Sequence, residues 1–247
     1  MVEPVNAALS TSTKMDTTVS RAEAARHEKQ SKTARGKTET LVGYARRAAV
    51  IPVVTIEDAR HAIPLARTLV AVGLPVVEVT LRTPAALDAI AAIAKAVPEA
   101  VVGAGTVLSA SQIAEVVEAG ARFIVSPGTP IRLAEALAEA PVPVLPGCAT
   151  VSEAMTLADL GFEIMKFFPA VPSGGIAWLK SVAGPLPQAR FCPTGGLDQG
   201  NAADFLALPN VPFVGGAWMA PTPAISAGDF EAVARLARAA AAIRKPI

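Results

Sequence analysis

Short Val/Ile/Phe-rich runs alternate with longer Ala/Leu-rich stretches at helical spacing from about residue 41 onward. Eight such units follow one another, each taking roughly 19–27 residues. That cadence predicts an α/β fold, a single-domain (β/α)8 TIM barrel, close to the ~200-residue lower limit of that architecture. The first strand, Pro52–Ile56, leads into a helix over Ala59–Val72. Gly73 stops that helix, and strand Pro75–Val79 follows. Thr83-Pro84 then supplies a cap and a first-turn proline for helix Pro84–Val97. Strand Val101–Gly103 gives way to Ser109, which precedes the amphipathic run Ser109–Ala119, ended by Gly120. Phe123–Val125 is followed by helix Ile131–Ala140, and Val142–Leu145 by Val151–Leu160, which Gly161 closes. The last three units pair Glu163–Phe167 with Ile176–Val182, Arg190–Cys192 with Gln199–Leu206, and Pro212–Val214 with Asp229–Ile243. A doubly wound open sheet would show a phosphate fingerprint after its first strand, where this chain has Glu57-Asp58-Ala59. Gly103-Ala104-Gly105 lacks the third glycine of that motif.

Residues 1–40 read differently, as a flexible N-terminal extension ahead of a barrel over 41–247. They are rich in Ser, Thr, Ala and Lys, lack aromatics, and carry seven basic residues against five acidic ones. No continuous apolar run follows Met1, which argues against a secretory signal, and Met15 is a second candidate start. Over the whole chain 52% of residues are hydrophobic and 17% charged, which excludes general disorder and points to a large core. A net charge of +1 and 4% aromatics offer nothing to nucleic acid or anionic lipid. The longest uncharged stretch, between Asp204 and Asp229, is broken by four prolines and a Gly-Gly pair, so no membrane span is expected. Two separated cysteines, Cys148 and Cys192, read as small buried hydrophobes in a reducing, cytoplasmic setting. With only two histidines, neither a metal site nor a His-dependent triad is expected.

Barrel active sites gather at the carboxyl ends of the strands. Those ends here carry Glu57, Glu78 through Arg82, Gly105-Thr106, Ser126-Pro127-Gly128, Pro146-Gly147-Cys148, Lys166 through Pro169, Thr194-Gly195-Gly196 and Gly215-Gly216. Of four lysines after residue 41, Lys166 alone ends an apolar strand. Burial favours the neutral amine, as a Schiff-base nucleophile requires. The other readings are a lysine paired with a carboxylate at the barrel mouth, or a phosphate ligand. Glu78 is the general acid/base candidate, or the partner of Arg82 in an ion pair; the two roles are compatible. Arg82 has the planar fork that suits a carboxylate, so a small 2-oxo acid is a natural guest. Glu57 is expected to cap the first helix. The Gly-Gly pairs after strands seven and eight suit a phosphate cradle, and Trp178 and Trp218 read as packing residues.

Laid out in order, five segments resemble the class I 2-keto-3-deoxy-6-phosphogluconate (KDPG) / 4-hydroxy-2-oxoglutarate (KHG) aldolase family. They are Glu78-Val79-Thr80-Leu81-Arg82-Thr83, Gly103-Ala104-Gly105-Thr106-Val107, Ile124-Val125-Ser126-Pro127-Gly128, Lys166-Phe167-Phe168-Pro169-Ala170 and Cys192-Pro193-Thr194-Gly195-Gly196. The resemblance covers residues 45–223. It implies a homotrimeric barrel without metal or organic cofactor, with Lys166 as the Schiff-base lysine and Glu78 as the acid/base. Arg82, Thr106, Pro127 and Phe168 would then line the 2-oxo acid site, with Gly195, Gly196 and Gly216 near a distal phosphate. Ala217 stands beside them where family members commonly have serine; Val171 replaces a usual acid and Val151 a frequent proline. The implied reaction is cleavage of KDPG to pyruvate and glyceraldehyde 3-phosphate. Alternatives are 4-hydroxy-2-oxoglutarate or the galactonate epimer as substrate, a phosphosugar isomerase on the same barrel, and a trimeric scaffold without turnover.

Overall fold

The computed structural model describes residues 36–245, so most of the expected extension, residues 1–35, lies outside the described residues. Eight parallel strand positions form the barrel: β1 (Val50–Val54), β2 (Val76–Thr80), β3 (Val101–Gly105), β4 (Ile124–Val125), β5, β6 (Ile164–Phe167), β7 (Arg190–Pro193) and β8 (Val214–Gly216). Strand β5 comes in two pieces, Val144–Leu145 and Gly147–Cys148. Pro146 between them has no N–H and breaks the ladder, yet its carbonyl accepts from Lys166 N at 2.8 Å. Strands β1 to β5 pair in sequence order, the second piece of β5 pairs with β6, and β6 with β7. Strand β8 pairs with β1 and meets β7 through the Thr194↔Gly215 bridge, which closes the ring.

Around this ring lie α2 (Ala62–Ala71), α3 (Ala86–Ala96), α4 (Ala110–Glu118), α5 (Ile131–Ala138), α6 (Val151–Asp159), α7 (Gly175–Val182), α8 (Ala202–Leu206), α9 (Thr222–Ser226) and α10 (Phe230–Ala241). Capping boxes start α4, from Ser109 with Gln112, and α6, from Thr150 with Glu153. Trp178 of α7 stacks on Phe167 of β6 at 4.3 Å, as a packing residue should.

Several boundaries differ from the sequence pattern, each for a physical reason. The first helix opens with a 3-10 turn, Ala59–His61, which Asp58 caps by accepting from Arg60 N; Glu57 instead accepts from Ser226 Oγ at 2.8 Å. Gly215 and Gly216 are strand rather than loop, because closure pairs them with Ile51 and Pro52. The same pairing starts β1 two residues early, at Val50. Helix α9 was hidden by its prolines, one of which occupies its first turn, where no N–H is needed.

Helix α1, residues 36–47, is the element the alternation did not announce. Its Leu41 is buried in one cluster with Ile51, Val76, Val101, Phe123, Ile164 and Phe213. Five of these start their strands or directly precede them (Val76, Val101, Phe123, Ile164, Phe213), so α1 seals the amino end of the barrel. Lys37 Nζ donates to Ala138 O and Arg47 to Glu99 O, pinning both ends of the helix. Leu41→Ala is expected to cost about 2–5 kcal/mol, read from urea unfolding. Turnover of the folded fraction should be unchanged, because the plug lies opposite the mouth.

Candidate active site

Strand alternation decides which side chains face the barrel axis. On β2 the inward set is Val76, Glu78 and Thr80; on β6 it includes Ile164 and Lys166. Their lower members join the inner core and their upper members reach the mouth. Glu78 pairs in register with Gly103 of β3, and Lys166 with Gly147 of β5. A side chain at Gly103 would meet the Phe123 ring and one at Gly147 the backbone of Ser126 and Pro127, so both positions stay small, and the two long side chains of Glu78 and Lys166 meet across the ring above them. Lys166 Nζ lies 3.1 Å from Glu78 Oε1 and 3.5 Å from Oε2, with both residues 4% exposed.

This pairing settles one question about Glu78: its ionic partner is Lys166, and Arg82 has no hydrogen-bond or ion-pair partner among the described residues. Taking two charges out of water costs several kcal/mol each, so a bare pair like this adds little stability over an apolar one. Phe168 follows Lys166 out of the strand, its ring centroid 5.4 Å from Nζ, and the Phe168–Pro169 bond is cis. Arg82 lies exposed two residues past β2. Thr106, directly past β3, is among the described residues the one non-glycine residue with left-handed backbone, φ 61°, a conformation that costs energy and recurs at functional sites. Pro127 follows β4 and is half-buried. Gly195 and Gly196 follow β7 with φ 96° and 82°. Gly216 ends β8 beneath the ring of Trp218, whose Nε1 donates to Gln199 Oε1 at 3.2 Å; Ala217 is exposed. All ten expected site residues therefore stand at the carboxyl end of the ring.

Several polar groups there were left unassigned by the sequence. Thr80 Oγ1 donates to Val54 O and lies 3.0 Å from Thr55 Oγ1. Ser126 Oγ lies 2.9 Å from Thr129 Oγ1, which donates to Gly147 O. Thr194 is buried, two residues beyond the inward Cys192 on β7. Counting by twos from Glu78 and Cys192 would have found Thr80 and Thr194. Burial pushes both thiols up, Cys148 and Cys192 each to about 12, which keeps them protonated and unreactive. Among the described residues, no three His, Cys, Asp or Glu side chains gather as a metal site.

A family model described as KDPG and KHG aldolase matches residues 42–236. A KHG/KDPG aldolase of Escherichia coli K12 is 52% identical over 191 residues, which is 77% of this chain and 90% of that protein. A 2-dehydro-3-deoxy-phosphogluconate aldolase of Zymomonas mobilis is 46% identical over 200 residues, 81% of this chain and 94% of its own length. Among solved structures, KDPG aldolase from Legionella pneumophila, with pyruvate captured as a covalent carbinolamine intermediate, is 42% identical. It superimposes with a TM-score of 0.79 over 81% of this chain and 98% of that chain. On a match that spans most of the barrel, and on relatives this similar, the chain belongs to the KDPG and KHG aldolase family.

Proposed function

We propose that this chain is a class I aldolase that cleaves 2-dehydro-3-deoxy-6-phosphogluconate to pyruvate and glyceraldehyde 3-phosphate. The observation that carries the reading is the buried amine at the barrel mouth with a carboxylate 3.1 Å away. In the resting pair the ammonium donates to Glu78, which is placed to accept its proton. The freed amine attacks the C2 ketone to form a carbinolamine; Glu78 returns the proton to the departing hydroxyl, and loss of water leaves a cationic imine. Glu78, again a carboxylate, removes the C4 hydroxyl proton. The C3–C4 bond breaks, its electron pair flows into the iminium, and the aldehyde leaves. Protonation of the enamine at C3 and addition of water release pyruvate and restore the amine.

Arg82, free of partners among the described residues, holds the substrate carboxylate through its planar fork, with Thr106, Pro127 and Phe168 around the three-carbon end. Backbone N–H groups near Gly195, Gly196 and Gly216 hold the phosphate, with Ala217 supplying no hydroxyl. That missing bond costs about 1.5–3 kcal/mol of phosphate binding. The working form is a homotrimer. Leu108, Ile131, Val151, Met155 and Val171 are exposed on successive units three to six, an apolar surface that partner copies would cover. The proposed setting is the cytoplasm, in keeping with two free thiols.

Borohydride added with pyruvate tests the reading directly. The expected result is irreversible inactivation and one pyruvate-derived mass on the peptide containing Lys166. A label on Lys95 or Lys180, or no label, overturns it.

A further inference from the structure

Gly105 ends β3 beside Glu78, and the geometry points to it as the residue that sets the Glu78 carboxylate within reach of Lys166. A Cβ built on Gly105 falls on Glu78 Oε1 and comes within 2.6 Å of its Cγ and 2.7 Å of its Cδ. The Gly105 backbone has no room to withdraw. It is paired in register with Thr80, its carbonyl accepts from Leu81 N at 2.8 Å, and Thr106 follows at φ 61°. A methyl group at 105 must therefore move the carboxylate, a flexible side-chain end, and not the strand. Glu78 is 4% exposed, so its side chain has few other places to go. The absent side chain thus acts as a positioning feature for the proton carrier, separate from any turn requirement. This rests on the reading of Glu78 given above.

The test is a double-mutant cycle of Gly105→Ala and Glu78→Ala, read by kcat, by KM, by melting temperature and by borohydride trapping of the pyruvate imine. Gly105→Ala is expected to lower kcat by on the order of 10²-fold. KM should change much less, and trapping at Lys166 should persist. In the Glu78→Ala background, where no carboxylate is left to displace, adding Gly105→Ala should change neither residual kcat nor melting temperature. Equal losses in both backgrounds, or near-normal kcat in the single variant, overturn the proposal. If Gly105→Ala alone does not fold, Gly105→Ala/Glu78→Ala should fold as well as Glu78→Ala does, because the collision is gone; a double variant clearly less stable than Glu78→Ala overturns it. Should Glu78→Ala by itself leave kcat intact, the assignment of Glu78 falls instead, and the two failures are told apart.

Discussion

Lys166→Arg is expected to bring pyruvate release down by on the order of 10⁴-fold or more, to the background rate, when a covalent nucleophile is removed. Arginine is the demanding choice of replacement. Its guanidinium keeps the positive charge beside Glu78, so the buried carboxylate is not left alone, a loss that would cost about 3–5 kcal/mol. It stays protonated at any workable pH and cannot form an imine. A folded, inactive Lys166→Arg protein that no longer takes the pyruvate–borohydride label would tie chemistry to that one nitrogen. Substantial residual pyruvate release would mean that C3–C4 cleavage does not run through an imine on Lys166.

The second large effect concerns the acid/base. Glu78→Gln should lower kcat by about 10²- to 10⁴-fold, the range for a positioned proton carrier, while imine trapping with pyruvate falls far less. Trapping needs only the amine and the ketone, and solvent can take the proton of Lys166 slowly. Cleavage needs a base for the C4 hydroxyl and an acid for C3 in every turnover. Glutamine keeps the length and an acceptor oxygen for Lys166, so packing at 78 is preserved. Equal loss of trapping and turnover would mean that the residue organises the site and moves no proton. The variant must be assayed well below its melting point, since an uncompensated buried ammonium lowers stability.

The alternation of apolar and amphipathic segments made the barrel legible because each strand is buried on both faces, which leaves a dense Val/Ile signal. Lys166 was legible for a related reason: a lone charge ending such a strand contradicts its surroundings. The partner of Glu78 was not. Arg82 is four residues away in sequence and Lys166 is 88, and local spacing favours the near one; closure of the ring reverses that. Gly215 and Gly216 looked like a turn because nothing in their own chemistry shows the strand β1 that they face. Helix α1 is not legible in the sequence because its partner surface is the inside of the barrel floor, assembled from strands spread over the whole domain. Whether Gly195, Gly196, Gly216 and Ala217 meet a phosphate is a matter of ligand contacts, which spacing along the chain does not encode.

The amine and the carboxylate sit on β6 and β2, diametrically opposed positions of an eight-membered ring whose last seam, β8 against β1, is made by the final strand. Neither half of the molecule owns the chemistry. Competence is therefore a property of the finished circle, and the return of catalysis during renaturation clocks the moment when that seam zips shut rather than the earlier growth of helices.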